Sequence, residues 1–147
     1  MQPQTHPSSA NAGSQSPIEI VESFFRALEA NDLDRAFAYL ADDVVYQNVP
    51  FPADRGKAQV LRTFKLLQRF VTGFEVRVRN IAVRDGVVLT ERTDILSGPL
   101  VYLDLWVCGT FEVRDGKITL WRDYFDLAET TAKIFVGPLR KLLGLAR

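Results

Sequence analysis

The sequence predicts an α+β fold in which N-terminal helices pack over the concave face of a curved antiparallel sheet, making a cone with a partly empty interior. Apolar residues recur at helical spacing up to about residue 71, and from residue 74 the period changes to two. Turn dipeptides at Asp85-Gly86, Gly98-Pro99 and Asp115-Gly116 then cut the second region into four strands joined as a meander. At 147 residues the chain fits one domain, large enough to bury about two-thirds of its unfolded surface. Helices and sheet must cover each other's apolar sides, and a bent sheet has an inside where a ligand can lie.

Residues 1–15, "MQPQTHPSSANAGSQ", contain no large apolar residue after Met1 and are read as a disordered tail, leaving residues 16–147 as a single domain. His6, the only histidine, falls in that tail. Histidine is thereby removed from the candidate bases and metal ligands. Order begins at "SPIEIVESFFRALEA", where Ser16 can cap, Pro17 suits the first helical position and Glu19 completes a capping box; Ile20, Val21, Phe24, Phe25 and Leu28 form the apolar stripe. "NDLDRAFAYL" is a second short helix, "VVYQNV" is a strand with Tyr46 and Asn48 on one face, and "FPADRG" is a loop. "KAQVLRTFKLLQRFV" is a third amphipathic helix. The strands "FEVRVRNIAVR", "VVLTERTDIL", "LVYLDLWVCGTFEV" and "KITLWRDYFDL" follow, and a helical extension from about residue 127 carries an expected break at Gly137-Pro138.

Composition narrows the function. The 47% hydrophobic and 24% charged residues are globular values, and 18 Lys+Arg against 18 Asp+Glu leave no net charge to attract a nucleic acid. Cys108 stands alone, so no internal disulfide forms, and the N-terminus lacks a signal-peptide pattern; the expected compartment is the cytoplasm. No apolar stretch reaches the roughly 20 residues that span a bilayer.

Strand parity singles out candidate side chains. Arg92, Asp94 and Leu96 share one face of their strand, and Trp121, Asp123 and Phe125 share one face of theirs. Leu103, Leu105 and Val107 form an aliphatic side assigned to the pocket, while Tyr102, Asp104, Trp106 and Cys108 are assigned to the outer face. Trp106 there predicts a homodimer through the outer sheet face. Spacing alone also allows a plainer reading: Arg92 and Asp94 as a solvated ion pair contributing roughly 0 to 1 kcal/mol, and Tyr46 with Asn48 as an ordinary half-buried strand pair. Asp123 is harder to dismiss, because a carboxylate among aromatic residues must be paired or neutralised.

In order and separation, "VYQNV", "ERTD" and "WRDYFD" resemble the limonene-1,2-epoxide hydrolase family, whose fold is similar to those of nuclear transport factor 2 and ketosteroid isomerase. The resemblance runs from about Pro17 to Leu127 and implies a catalytic set of Tyr46, Asn48, Arg92, Asp94 and Asp123. It implies Asp123 as the ionised base, Asp94 as the protonated acid and Tyr46 with Asn48 as orienters of the attacking water. Such a reaction asks for a base on water and an acid on the departing oxygen at the same moment, which two carboxyls can divide if their environments pull their proton affinities apart. No metal, flavin or nicotinamide is required, and the chain lacks G-x-S-x-G and G-x-G-x-x-G.

Leu96, Leu105, Val107 and Phe125 would wall the substrate, which implies a lipophilic epoxide. The stretch after Leu127 resembles the mycobacterial branch of the family, said to take bulky lipid and sterol-like epoxides, and implies a substrate other than limonene. Its basic residues, Lys133, Arg140, Lys141 and Arg147, also allow contact with a membrane surface, although the Gly137-Pro138 break favours closure of the pocket. Two other functions fit the same fold: an isomerase or cyclase of steroid-like or polyketide-like substrates, and a non-catalytic carrier of apolar ligands.

Overall fold

The computed structural model describes residues 15–142, with side chains through Ile134. Apart from Gln15, the tail expected over residues 1–15 lies outside the described residues, as do residues 143–147. Helix α1 (Pro17–Glu29) starts at the expected capping box: the Glu19 N–H donates to Ser16 Oγ at 3.3 Å and the Ser16 N–H to Glu19 Oε2 at 2.7 Å. Its stripe of Ile20, Val21, Phe24, Phe25 and Leu28 is fully buried, at about 1.5 to 3 kcal/mol of favourable transfer per side chain. Asp32 caps the short α2 (Leu33–Ala38), and α3 (Lys57–Leu67) turns Val60, Leu61 and Phe64 inward. It ends four residues short of the predicted Val71.

The strands are β1 (Leu40–Val49), β2 (Asp54–Arg55), β3 (Gly73–Arg84), β4 (Val87–Ser97), β5 (Tyr102–Arg114) and β6 (Lys117–Phe125), in the order β2-β1-β6-β5-β4-β3. β3 to β6 form the predicted meander. Both Asp-Gly turns have φ above zero at each residue, 51° and 77° at Asp85-Gly86 and 48° and 74° at Asp115-Gly116, which matches the right-handed twist of a hairpin.

The sheet departs from expectation at its other end. It is mixed rather than wholly antiparallel, because β1 runs parallel to β6, with Tyr46 beside Trp121 and Asn48 beside Asp123. A parallel pair needs a long crossover, and α3 with the meander supplies it. The loop read into "FPADRG" contains β2, which pairs antiparallel with β1 at Val45 and Tyr46. The last helix, α4 (Leu127–Leu142), runs through Gly137-Pro138 where a break is expected. A proline withholds one N–H from the helical ladder and kinks a helix without having to end it. Among the described residues no helix is long and apolar enough to cross a membrane.

Helices α1, α2 and α3 cover the inward face of the sheet, where Phe24, Leu40, Val44, Val60, Val88, Phe111, Ile118 and Trp121 make the core. The predicted parity holds on β4, β5 and β6: Thr90, Arg92 and Asp94, then Val107 and Phe111, then Trp121 and Asp123 point inward and are buried.

Candidate active site

Residues opposite one another on paired strands point to the same side, so register lays the inward side chains out in rows. Tyr46, Trp121, Phe111 and Val88 form one row; Asn48, Asp123, Gly109 and Thr90 form the next. Beyond them lie Phe125, Val107 and Arg92, then Leu105 and Asp94. All five predicted catalytic residues and three of the four predicted wall residues, Leu105, Val107 and Phe125, therefore fall within four adjoining rows.

Arg92 is the hub. It is 1% exposed, and its guanidinium donates through Nε to Asp94 Oδ1 at 2.8 Å and through Nη2 to Asp94 Oδ2 at 3.0 Å and Asp123 Oδ2 at 2.8 Å. Nη1 donates to Thr90 Oγ1 at 3.0 Å, and the rings of Phe25 and Phe111 flank the cation at 5.1 and 5.8 Å. Asp123 Oδ2 also accepts from Trp121 Nε1 at 2.8 Å. Asp123 Oδ1 is buried and receives no hydrogen bond from the described residues. In a native interior such an atom is an exception that asks for a reason.

Burial sets the proton affinities. It pushes Asp94 up to about 6 while Arg92 pulls the other way, and the negative charges of Asp123 and Glu29 add to the rise. Asp123 is also raised by burial, opposed by Arg92 and by the Trp121 N–H. For Arg92, burial works against the charge, but the two carboxylates outweigh it and hold the guanidinium protonated. Burial, then the charge of Asp123, raises Tyr46, so its hydroxyl stays neutral; Asn48 Nδ2 donates to that oxygen at 2.6 Å. The Tyr46 proton and the Asn48 carbonyl oxygen both remain available to a ligand.

Leu96, the fourth predicted wall residue, lines an apolar cavity with Leu28, Leu33, Phe64, Leu67 and Phe74. None of the five polar residues lines it, but Phe64 joins the two regions: its ring lies 5.6 Å from that of Tyr46 and 5.5 Å from that of Trp121. Several contributors are absent from the sequence-based set. Trp121 binds a carboxylate, Thr90 and Gly109 flank the guanidinium, and Phe25 reaches it from α1. The one local signal among them is Gly109, a glycine inside a strand, which often marks a close approach. Among the described residues no group of His, Cys, Asp or Glu is arranged to hold a metal ion.

Fold and site together define a class: an α+β cone of the nuclear transport factor 2 type with an arginine-bridged carboxyl pair buried against its sheet. The chain resembles an NTF2-like protein of Burkholderia pseudomallei in fold, with a TM-score of 0.74 at 16% identity over 82% of this chain and 99% of that one. The sequence pattern of the limonene-1,2-epoxide hydrolase catalytic domain matches residues 15–140. The chain belongs to the limonene-1,2-epoxide hydrolase family and is an epoxide hydrolase of that type. It is 47% identical to the epoxide hydrolase EphG of Mycobacterium tuberculosis over 126 residues, 85% of this chain and 80% of EphG. It also superposes on the structure of an LEH-like epoxide hydrolase of M. tuberculosis with a TM-score of 0.78 and 41% identity, over 87% of this chain and 96% of that one.

Proposed function

We propose that the protein adds water in one step to a lipophilic epoxide and releases a vicinal diol, with Asp123 as base and Asp94 as acid. The observation that carries this reading is the single guanidinium shared by two buried carboxyls, one of which keeps an oxygen, Asp123 Oδ1, that no described residue engages. With both carboxyls ionised the trio bears a net negative charge in a dry interior; with one proton retained it is neutral. Burial therefore favours one acid and one base, the division the reaction requires. The charges of Asp123 and Glu29 favour keeping the proton on Asp94, and the Trp121 N–H favours the anion on Asp123.

A water molecule has two hydrogens. One goes to Asp123 and the other is accepted by the Asn48 carbonyl oxygen, while the Tyr46 hydroxyl donates to the water oxygen and leaves a lone pair to attack carbon. As the new C–O bond forms, the oxirane C–O bond breaks and the oxygen takes the proton of Asp94. Exchange of the proton gained by Asp123 for the one lost by Asp94 closes the cycle.

The substrate reading rests on the walls. Leu105, Val107 and Phe125 adjoin the carboxyls, and the cavity at Leu96 extends the apolar surface without adding a charge. An epoxide with a bulky hydrocarbon body suits them. The functional unit is a homodimer formed through the outer sheet face, where Leu89, Tyr102, Trp106 and Tyr124 are exposed. The single cysteine, Cys108, suits a reducing compartment such as the cytoplasm.

Turnover of cyclohexene oxide in oxygen-18 water tests the chemistry: one labelled hydroxyl in a trans diol is expected, together with loss of turnover by at least about 100-fold in Asp123→Asn while an apolar ligand still binds. Full activity of Asp123→Asn, or no turnover of any lipophilic epoxide, would overturn the assignment.

A further inference from the structure

Arg92 and Asp123 stand on strands that are not neighbours. β5 lies between β4 and β6, so the guanidinium must cross a whole strand, a span of roughly 10 Å at ordinary strand spacing. Where it crosses, β5 carries Gly109, which shares a row with Thr90 on one side and Asp123 on the other. A Cβ at that position would stand 2.7 Å from Thr90 Oγ1 and 2.9 Å from Asp123 Oδ1, and closer still to Arg92 Nη1. Two of those atoms belong to the catalytic group and the third holds it, so any side chain there would lift the guanidinium off the sheet or turn Asp123 away.

Glycine is a poor strand residue, since it packs nothing and costs entropy to order. Its neighbours in the row and along β5, Thr90, Asp123, Val107 and Phe111, are all buried, so the position demands closeness and not merely a small residue at a surface. Thr90 completes the arrangement. Its Oγ1 accepts from Nη1, the guanidinium nitrogen that neither carboxyl engages. With that bond the plane of the cation is held at three corners, by Asp94, Asp123 and Thr90.

We propose that Gly109 and Thr90 are positioning residues for epoxide hydrolysis: they form a seat on β5 and β4 that holds the Arg92 guanidinium across the sheet, aligned with both carboxyls at once. The proposal rests on the assignment of Asp94 and Asp123 made above. Neither residue is asked to touch substrate. Their influence passes through Arg92, and a loosened guanidinium lets the proton affinity of the base rise because Arg92, more than the Trp121 N–H, pulls it down.

The test uses the full-length protein with cyclohexene oxide as the probe, comparing Gly109→Ala, Thr90→Val, Thr90→Ser and Asp123→Asn across pH. Gly109→Ala is expected to lower kcat by about 100-fold with KM little changed, the size of a lost general-base alignment. Thr90→Val, which keeps the shape of threonine, is expected to lower kcat by about 10-fold, and Thr90→Ser to recover that loss through its hydroxyl. In Thr90→Val the acidic limb of the pH–rate profile moves to higher pH. A purely structural role predicts a lower amplitude with the limb in place, and that result overturns the proposal, as does unchanged kcat in Gly109→Ala and Thr90→Val. If those two are unchanged while Asp123→Asn is inactive, the seat alone falls; if Asp123→Asn is active, the assignment of the base falls and the seat with it.

Discussion

Asp94 is a carboxyl that folding makes harder to ionise. Burial lifts it from 3.8 to about 6 against the pull of Arg92. Between those values the native protein keeps a proton that the unfolded chain has released, so stability falls as pH rises through the window, and the whole loss is present above it. A shift of that size corresponds to about 3 kcal/mol. Asp123 is shifted in the same direction and adds to the slope. Asp94→Asn is therefore expected to melt at a higher temperature than the parent above about pH 7, with the difference shrinking toward pH 4. Thermal melts at a series of pH values measure it, and a difference independent of pH would show that Asp94 is not held against its own ionisation. At this scale the sequence was readable where one strand sufficed: Arg92 with Asp94, and Trp121 with Asp123, share faces because a strand's side chains alternate. Thr90 and Gly109 were not readable as partners of Asp123, since their row exists only through the register between strands.

The elements were legible wherever a local signal sets them. The capping box starts α1 at the expected residue, and the two Asp-Gly turns close their hairpins because two residues in succession must take positive φ. Gly116 isolates that backbone requirement: its φ is 74° and a Cβ there would meet nothing within 4 Å. Gly116→Ala should then cost about 1 kcal/mol and lower the melting temperature by a few degrees while leaving kcat unchanged. Urea unfolding reads the loss, and a neutral result would mean that the β5–β6 turn does not need its left-handed backbone. The elements missed are those with no local signal. β2 is a strand only because β1 offers it an edge, and the parallel pairing of β1 with β6 joins segments about 75 residues apart, as in Gln47 beside Arg122.

At the scale of the whole molecule, the outer sheet face stands out for its exposed large apolar residues, with α4 reaching it at Asp104 through Lys133. Trp106 is 50% exposed there and its indole N–H donates to Glu91 Oε1 at 3.2 Å, with Tyr102 and Leu89 also open to solvent. Sedimentation at micromolar concentration should find twice the chain mass for the parent and a single chain mass for Trp106→Glu, because a buried unpaired carboxylate costs far more than a loop or rim contact returns. A parent that sediments as one chain removes the dimer.

The sequence by itself determined the fold class, the boundaries of most elements and the facing of the residues on β4, β5 and β6, and its resemblance to the limonene-1,2-epoxide hydrolase family singled out the five polar residues of the candidate site. The first properties follow from spacing along one chain, and the five residues from the order and separation of three motifs. Only the tertiary structure decided that β1 lies beside β6, that the Arg92 guanidinium crosses β5 at Gly109 to join two carboxyls from different strands, and that burial raises both of them. Proton affinity depends on what surrounds a group in space, and the distance across a sheet is fixed by register, which a single strand does not carry.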